Sequence, residues 1–451
     1  MTAKTESSNF YPQPATGSSR PFWRTTPHAL DNHRTTENLP SETDILIIGG
    51  GYAGASTAYH LFQEGSAPRV VLLEARELCS GATGRNGGHL RPDLYAITSK
   101  YAERYGLEAA VEVVRFEMSH LKEIANLVEK ENIDCEFTLA RSLDIYMDED
   151  ELAKRKEFVD YLRVQGLDFM DDVKYMSEQE VQEKAHVRNA KGGFSFSAGH
   201  LWPYKLITQL ITIALSHGLN LQTHTQVLEI GSTRKNGLWP VTTNRGTINA
   251  QKIILATNAF TKALAPEYSQ AIIPCKGLCT QIEAAPGKPF QRLPETYAIR
   301  HGPGAFIYQI SRKDGSIIVG GAQYRYKDDL GVWYDNSDDG SLIPQVEGYF
   351  DGYMQRTFFG WEDSGAVVKH KWTGVMGYSA DSLPHVGEVP EKPGQFIAAG
   401  FNGHGMPVVF LSAKGVAKMA LKRVSFKETG LPRLFETSIE RLDPIYNDIF
   451  G

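Results

Sequence analysis

The segment that most restricts the possible folds is Asp44-Ile-Leu-Ile-Ile48, which runs straight into Gly49-Gly-Gly-Tyr-Ala-Gly54. A short apolar run of this kind predicts a buried parallel strand. Ala55 to Gln63 suits a helix that Gly65 closes, and Arg69-Val-Val-Leu-Leu-Glu74 predicts a second buried strand. Together these form a complete βαβ unit. Its glycines have separate tasks: Gly49 permits the tight strand-to-helix turn, Gly51 lets a pyrophosphate approach the backbone, and Gly54 allows helix and strand to pack closely. Unpaired N–H groups at the helix start attract the anion. Glu74 ends the second strand twenty residues after Gly54, where a carboxylate grips a ribose diol. The unit therefore predicts a dinucleotide site. The ribose acid disfavours NADP and leaves NAD and FAD open.

Composition removes several other classes. With 47 Lys and Arg against 53 Asp and Glu, the net charge of −6 offers no basic excess for nucleic acid. No apolar run reaches the ~20 residues of a membrane span, so no membrane role is expected. Met1 to Gly17 lacks the basic-then-apolar order of a secretory signal. Four cysteines in 451 residues do not make a disulfide scaffold. Cys275-x-x-x-Cys279 has no companion His or Cys pair, so no metal site is expected. The expected protein is soluble and intracellular, with the cytoplasm as its compartment.

Residues 1–40, rich in Pro, Ser, Thr and Asn, read as an arm, and Phe10, Tyr11, Phe22 and Trp23 suggest that it packs on the body. From Tyr101 to Glu131, Val114, Met118, Leu121, Ala125 and Val128 fall on one face of a long helix. Asp148 to Glu157 reads as a solvated helix face, and Pro203 opens a helix that Gly218 ends. Strand-like runs follow at 219–230, 239–243 and 252–255, and residues 270–365 read as strand-rich. Gln395-Phe-Ile-Ala-Ala399 is a further buried strand leading through Gly400-Phe-Asn-Gly-His-Gly-Met406 into a helix over 408–421.

Four later segments carry a resemblance. Ser80-Gly-Ala-Thr-Gly-Arg-Asn-Gly-Gly-His-Leu90 is similar to the second FAD-contacting loop of the D-amino-acid oxidase superfamily, and most like its glycine oxidase, sarcosine oxidase and γ-glutamylputrescine oxidase branch. Ile253-Ile-Leu-Ala-Thr-Asn-Ala259, Trp372 to Gly387 and Gly400 to Gly405 resemble, in order, the family's strand beside the flavin, its segment entering the last flavin strands, and its closing loop. The matches span roughly 40 to 425. The resemblance implies an α/β fold of the glutathione-reductase-like kind: a Rossmann-type FAD-binding domain (41–95, 195–265, 366–430) with a discontinuous α+β substrate domain (96–194, 266–365) and an extension over 431–451. It implies FAD contacts at Gly49, Gly51, Tyr52, Ala53, Gly54, Glu74, Ala75 and Arg76. Within the second loop they fall on Ser80, Ala82, Thr83, Gly84, Arg85, Asn86, Gly87, Gly88, His89 and Leu90. The remainder fall on Val227, Ala256, Thr257, Asn402, Gly403, His404, Gly405, Met406 and Pro407. A helix opening at Val408 would stabilise negative charge on the reduced flavin.

By the same resemblance, the reaction is hydride transfer from the carbon beside an amine to flavin N5. The imine so formed is hydrolysed, and molecular oxygen is the acceptor, giving hydrogen peroxide. His89, Arg91, Tyr308 and Trp372 are the candidate catalytic residues; Tyr324 could line the same pocket. Three family features are replaced. Met376 stands where glycine oxidase has its carboxylate-gripping arginine, Pro407 where sarcosine oxidase has the lysine after its closing loop, and Ile318 near its oxygen-activating lysine. These losses favour a small-molecule amine larger than a simple α-amino acid. The covalent attachment cysteine of sarcosine oxidase falls at His370, and the histidine of the dimethylglycine dehydrogenase group at Arg85, so non-covalent FAD is expected. Competing readings are a flavin enzyme acting on an alcohol or natural-product ring, a nicotinamide-linked dehydrogenase, and a non-catalytic protein on the same fold.

Overall fold

The computed structural model describes residues 19–65 and 68–450. Phe10 and Tyr11 lie outside the described residues. Glu42–Ile48 is the hub of the first sheet: it pairs in parallel with Val70–Leu73 on one side and Gly246–Leu255 on the other. Gly246–Leu255 pairs in parallel with Gln395–Ala399, and Val70–Leu73 with Asn220–Gln222. His385–Glu388, Val227–Ile230 and Trp239–Thr243 complete eight strands.

The apolar run over 45–48 works because alternate side chains face opposite ways. Ile45 and Ile47 meet the helices Tyr52–Gln63, Pro203–Ser216 and Val409–Lys422, and Leu46 and Ile48 pack with Val71, Val241 and Ile253 on the reverse face. Both faces are dry, which is why the strand carries no polar alternation.

The second sheet has nine strands, in the order Val367–Ser379, Ile272–Glu283, Ile317–Gly321, Ala305–Ser311, Thr296–Gly302, Thr138–Tyr146, Gly192–His200 and His89–Leu90, with Lys174–Ser177 beside Gly192–His200. The expected domain limits do not follow this pairing. Gly192–His200 and Val367–Ser379, assigned from sequence largely to the FAD-binding part, hydrogen-bond into the second sheet instead. So does His89–Leu90, through His200.

Two elements also differ from expectation. The long helix is broken into Thr98–Tyr105 and Leu107–Lys130 because Gly106 takes φ of +87° between them, a conformation that apolar spacing does not report. The strand-rich reading of 270–365 holds only to Gly321; beyond it come short helical turns, and Tyr324 sits in one of them rather than on a strand. The described arm residues pack on the body: Phe22 and Trp23 are buried, and residues 33–35 hydrogen-bond along the edge strand Asn220–Gln222.

Candidate active site

A cavity of about 320 Å³ opens at the carboxyl ends of the parallel strands, where ligands of open α/β sheets bind. Gly49, Gly51, Tyr52 and Ala53 line it from the strand-to-helix turn. A Cβ on Gly49 would stand 2.5 Å from the carbonyl oxygen of Ala256, and one on Gly54 only 1.9 Å from that of Gly49. Gly54 therefore lies behind the turn, allowing close packing, while Gly51 faces the cavity. The exposed helix start is partly served by the second loop, since Tyr52 N–H donates to Thr83 Oγ1 at 3.0 Å. Glu74 lines the same end, its carboxylate accepting from Gly50 N–H at 2.8 Å and Arg76 N–H at 2.9 Å.

Ala75, Arg76, Val227, Ala256 and Thr257 also line the cavity, as do Ala82, Thr83 and Asn86 of the second loop and Gly403, Gly405 and Met406 of the closing loop. Asn86 and Met406 meet, Nδ2 to Sδ at 3.5 Å, which joins the two loops.

Other expected contacts stand behind the wall. Arg85 is buried and turns away: its guanidinium donates to the carbonyls of Ser80 and Thr373 at 2.8 Å each and pairs with Asp339 at 3.3 Å. Ser80, Gly84, Gly87, Gly88, Leu90 and Pro407 are likewise outside the lining. Asn402 accepts from Ser379 N–H at 2.7 Å and donates to Gly400 O, so it braces the closing loop. His404 Nε2 lies 2.8 Å from Glu117 of the Leu107–Lys130 helix. Burial works against a charge there, yet the Glu117 carboxylate prevails and holds the His404 pKa above the ordinary histidine value.

The four catalytic candidates are only partly brought together. His89 and Tyr308 meet edge to face at 5.4 Å. Among the described residues both ring nitrogens of His89 are buried without a partner, and burial, with the Arg91 and His200 charges, pulls its pKa down to about 3. Tyr308 fits because Gly87 and Gly320 lack side chains: a Cβ on either would fall 2.5 or 2.4 Å from it. Burial, then Cys279 at 3.2 Å, keeps its phenol protonated well above the usual range. Arg91 instead joins a buried ion cluster, bonding Ser142 Oγ at 2.7 Å and lying 3.4 Å from Asp144, which also pairs with Arg300. Trp372 does not wall the cavity. It is fully buried and donates its indole N–H to the Arg85 carbonyl, supporting the second loop from behind.

Sequence reasoning passed over part of the lining. Val375, Met376, Phe401 and Val409 form an apolar end, and Asn258 and Phe260 a side. Met376 had a signal, since it replaces a charged family residue; Phe401 lies within the quoted closing loop. Thr225 and Leu228, beside Val227, carry no local sign of their position.

An acid-tipped dinucleotide turn and two glycine-rich loops lining the same cavity define a dinucleotide-binding site. Residues 44–419 match the family model described as DAO: FAD dependent oxidoreductase, and the chain belongs to that family. It is 25% identical over 395 residues to γ-glutamylputrescine oxidoreductase of Escherichia coli (strain K12), covering 85% of each chain. It is 24% identical over 391 residues to glycine oxidase of Geobacillus kaustophilus (strain HTA426), covering 84% of this chain and 93% of that one. The crystal structure of glycine oxidase from Geobacillus kaustophilus superposes with a TM-score of 0.69 at 21% identity, over 85% of this chain and 95% of that one. The fold is thus the FAD-binding one, and the chain is an FAD-dependent oxidoreductase. No helix among the described residues is long and apolar enough to cross a membrane.

Proposed function

We propose that this protein oxidises the carbon beside the nitrogen of an amine larger than a simple α-amino acid, with oxygen as the acceptor and hydrogen peroxide as a product. The observation that carries the substrate reading is the apolar end of the cavity, where Met376 lines the wall in place of the family's carboxylate-gripping arginine. Similarity to γ-glutamylputrescine oxidoreductase supports the same choice.

The first sheet and its helices are read as the FAD-binding side, the second sheet as the substrate side. The residues fit the cofactor. Glu74 presents a carboxylate for a ribose diol, and the glycines at 49 and 51 leave backbone open to a diphosphate. When bound, FAD supplies a hydride acceptor. This chain's own residues bind, orient and exclude water. Val375, Met376 and Phe401 keep the reacting end dry. A neutral His89, its ring nitrogens buried behind the lining, backs the second loop without adding a charge beside the cavity. Tyr308, which keeps its proton, orients the His89 ring. None of the cavity-lining residues is a cysteine or histidine, and Cys79 is buried, which supports non-covalent FAD.

The test is anaerobic mixing of the holoprotein with a panel of primary, secondary and N-methylated amines, amino acids and alcohols. Amines should bleach the flavin absorbance and, under air, give peroxide in proportion to substrate consumed. Bleaching by alcohols alone would move the assignment to a non-amine C–H. Acid precipitation should leave the flavin in the supernatant.

A further inference from the structure

The arm preceding the first strand lies outside the stretch that matches the family, yet it touches the second cofactor loop from behind. Trp23 is 1% exposed and donates its indole N–H to the carbonyl of Asn86 at 2.6 Å. Its ring also closes over Gly88, where a Cβ would stand 3.0 Å from Trp23. Asn86 is one of the loop residues that line the cavity, and it meets Met406 of the closing loop. Backbone and side chain of one residue are thus engaged on opposite sides, by the arm and by the cavity wall.

Trp23 is itself fixed. Its carbonyl accepts the indole N–H of Trp202 at 2.8 Å, and the two rings meet edge to face at 5.5 Å. Arg312, from the end of a second-sheet strand, lies 4.6 Å from both the Phe22 and Trp202 rings and pairs with Glu136 at 2.8 Å. One residue before the arm's first turn, Pro21 sets an extended entry, and Ser19 O accepts from Arg85 at 3.1 Å.

We infer that the arm is a cofactor clamp, with Trp23 as a positioning residue that holds the Asn86 carbonyl and so keeps the second loop in its FAD-receiving shape. A loop rich in glycine does not hold one shape unaided, because its backbone entropy is high. Arm docking and FAD binding are then linked, and linkage is reciprocal: whatever the arm contributes to FAD retention, bound FAD contributes to arm docking. The inference rests on the FAD dependence of the family and not on the amine reading, so either can fail alone.

The test uses the holoenzyme. Trp23→Phe keeps a ring and removes the N–H. FAD release after dilution, followed by the rise in free flavin fluorescence, should become about fivefold faster, the factor for one lost hydrogen bond. Val159→Ala, in the separate core under the Glu149–Val164 helix, should lower thermal stability and leave release unchanged. Release from Trp23→Phe within twofold of wild type, or the same acceleration in Val159→Ala, would overturn the clamp. A second measurement needs no variant. Trypsin cleavage after Arg24, whose side chain is buried against Asp31, should be slow in the holoenzyme and faster once FAD is stripped. Equal rates with and without FAD would also overturn it.

Discussion

Asp339→Asn is the substitution whose cost the structure fixes most tightly. Asp339 comes from the irregular segment after Gly321 and is 1% exposed, as is Arg85; Arg76, its other partner, is 14% exposed. The carboxylate takes two bonds from Arg76, at 3.0 and 2.9 Å, and lies 3.3 Å from Arg85. Asparagine is nearly isosteric, so packing survives while two guanidinium groups lose their counter-charge. Removing one partner of a buried pair costs about 3–5 kcal/mol. The low end applies here, roughly 3 kcal/mol, because Arg85 keeps its carbonyl partners and Arg76 reaches solvent. At ~2.1 cal/mol/K of unfolding entropy per residue, a chain of this length should lose roughly 3 °C in Tm if it melts as one unit. Scanning calorimetry of the holoprotein measures this, with Asp160→Asn as the comparison. Asp160 pairs with Lys156 and Arg163 in the open, and its loss should cost less than ~0.5 kcal/mol. Equal Tm losses for the two variants would refute the reasoning that burial sets the cost.

Gly54→Ala should abolish flavin retention, since its methyl would strike the Gly49 carbonyl at 1.9 Å, whereas Gly81→Ala, with Arg76 no nearer than 4.0 Å, should keep its colour; the flavin-to-protein absorbance ratio distinguishes them. Met376→Arg should lower KM for glycine and sarcosine at least tenfold by restoring a cation at the apolar end, measured by peroxide release. His404, with its pKa raised by Glu117, contributes stability present below the ordinary histidine value and lost as pH rises through the folded one; urea midpoints at pH 6 and 9 should differ less in Glu117→Gln. His89 has the opposite sign: with its pKa lowered to about 3, protonation of the unfolded chain withdraws stability as pH falls below the usual ~6.5. His89→Gln should therefore resist acid unfolding better than wild type, followed by tryptophan fluorescence.

The dinucleotide turn was legible because everything it needs is local: an apolar run, three glycines at fixed spacing and an acid at the next strand end. The closing loop was legible as a motif in the same way. What stayed hidden depends on partners far along the chain. Arg85 reads as a cofactor contact until Asp339, 254 residues away, is seen to draw it inward. Trp372 reads as a wall until its indole is found on the Arg85 carbonyl. The apolar stripe from Val114 to Val128 gave no sign of the break at Gly106, which precedes it. Short strands such as His89–Leu90 owe their existence to pairing with Gly192–His200 and have no pattern of their own.

The hub strand also sets a timetable for synthesis. Glu42–Ile48 can pair with Val70–Leu73 as soon as both have left the ribosome, but its other neighbour, Gly246–Leu255, follows some two hundred residues later, and Gln395–Ala399 later still. At ~5–20 residues per second, the half-built sheet waits for about ten seconds or more with an apolar edge unpaired. Nascent chains of this protein should therefore engage holding chaperones from the middle third of translation onward and release them only after residue 399 emerges.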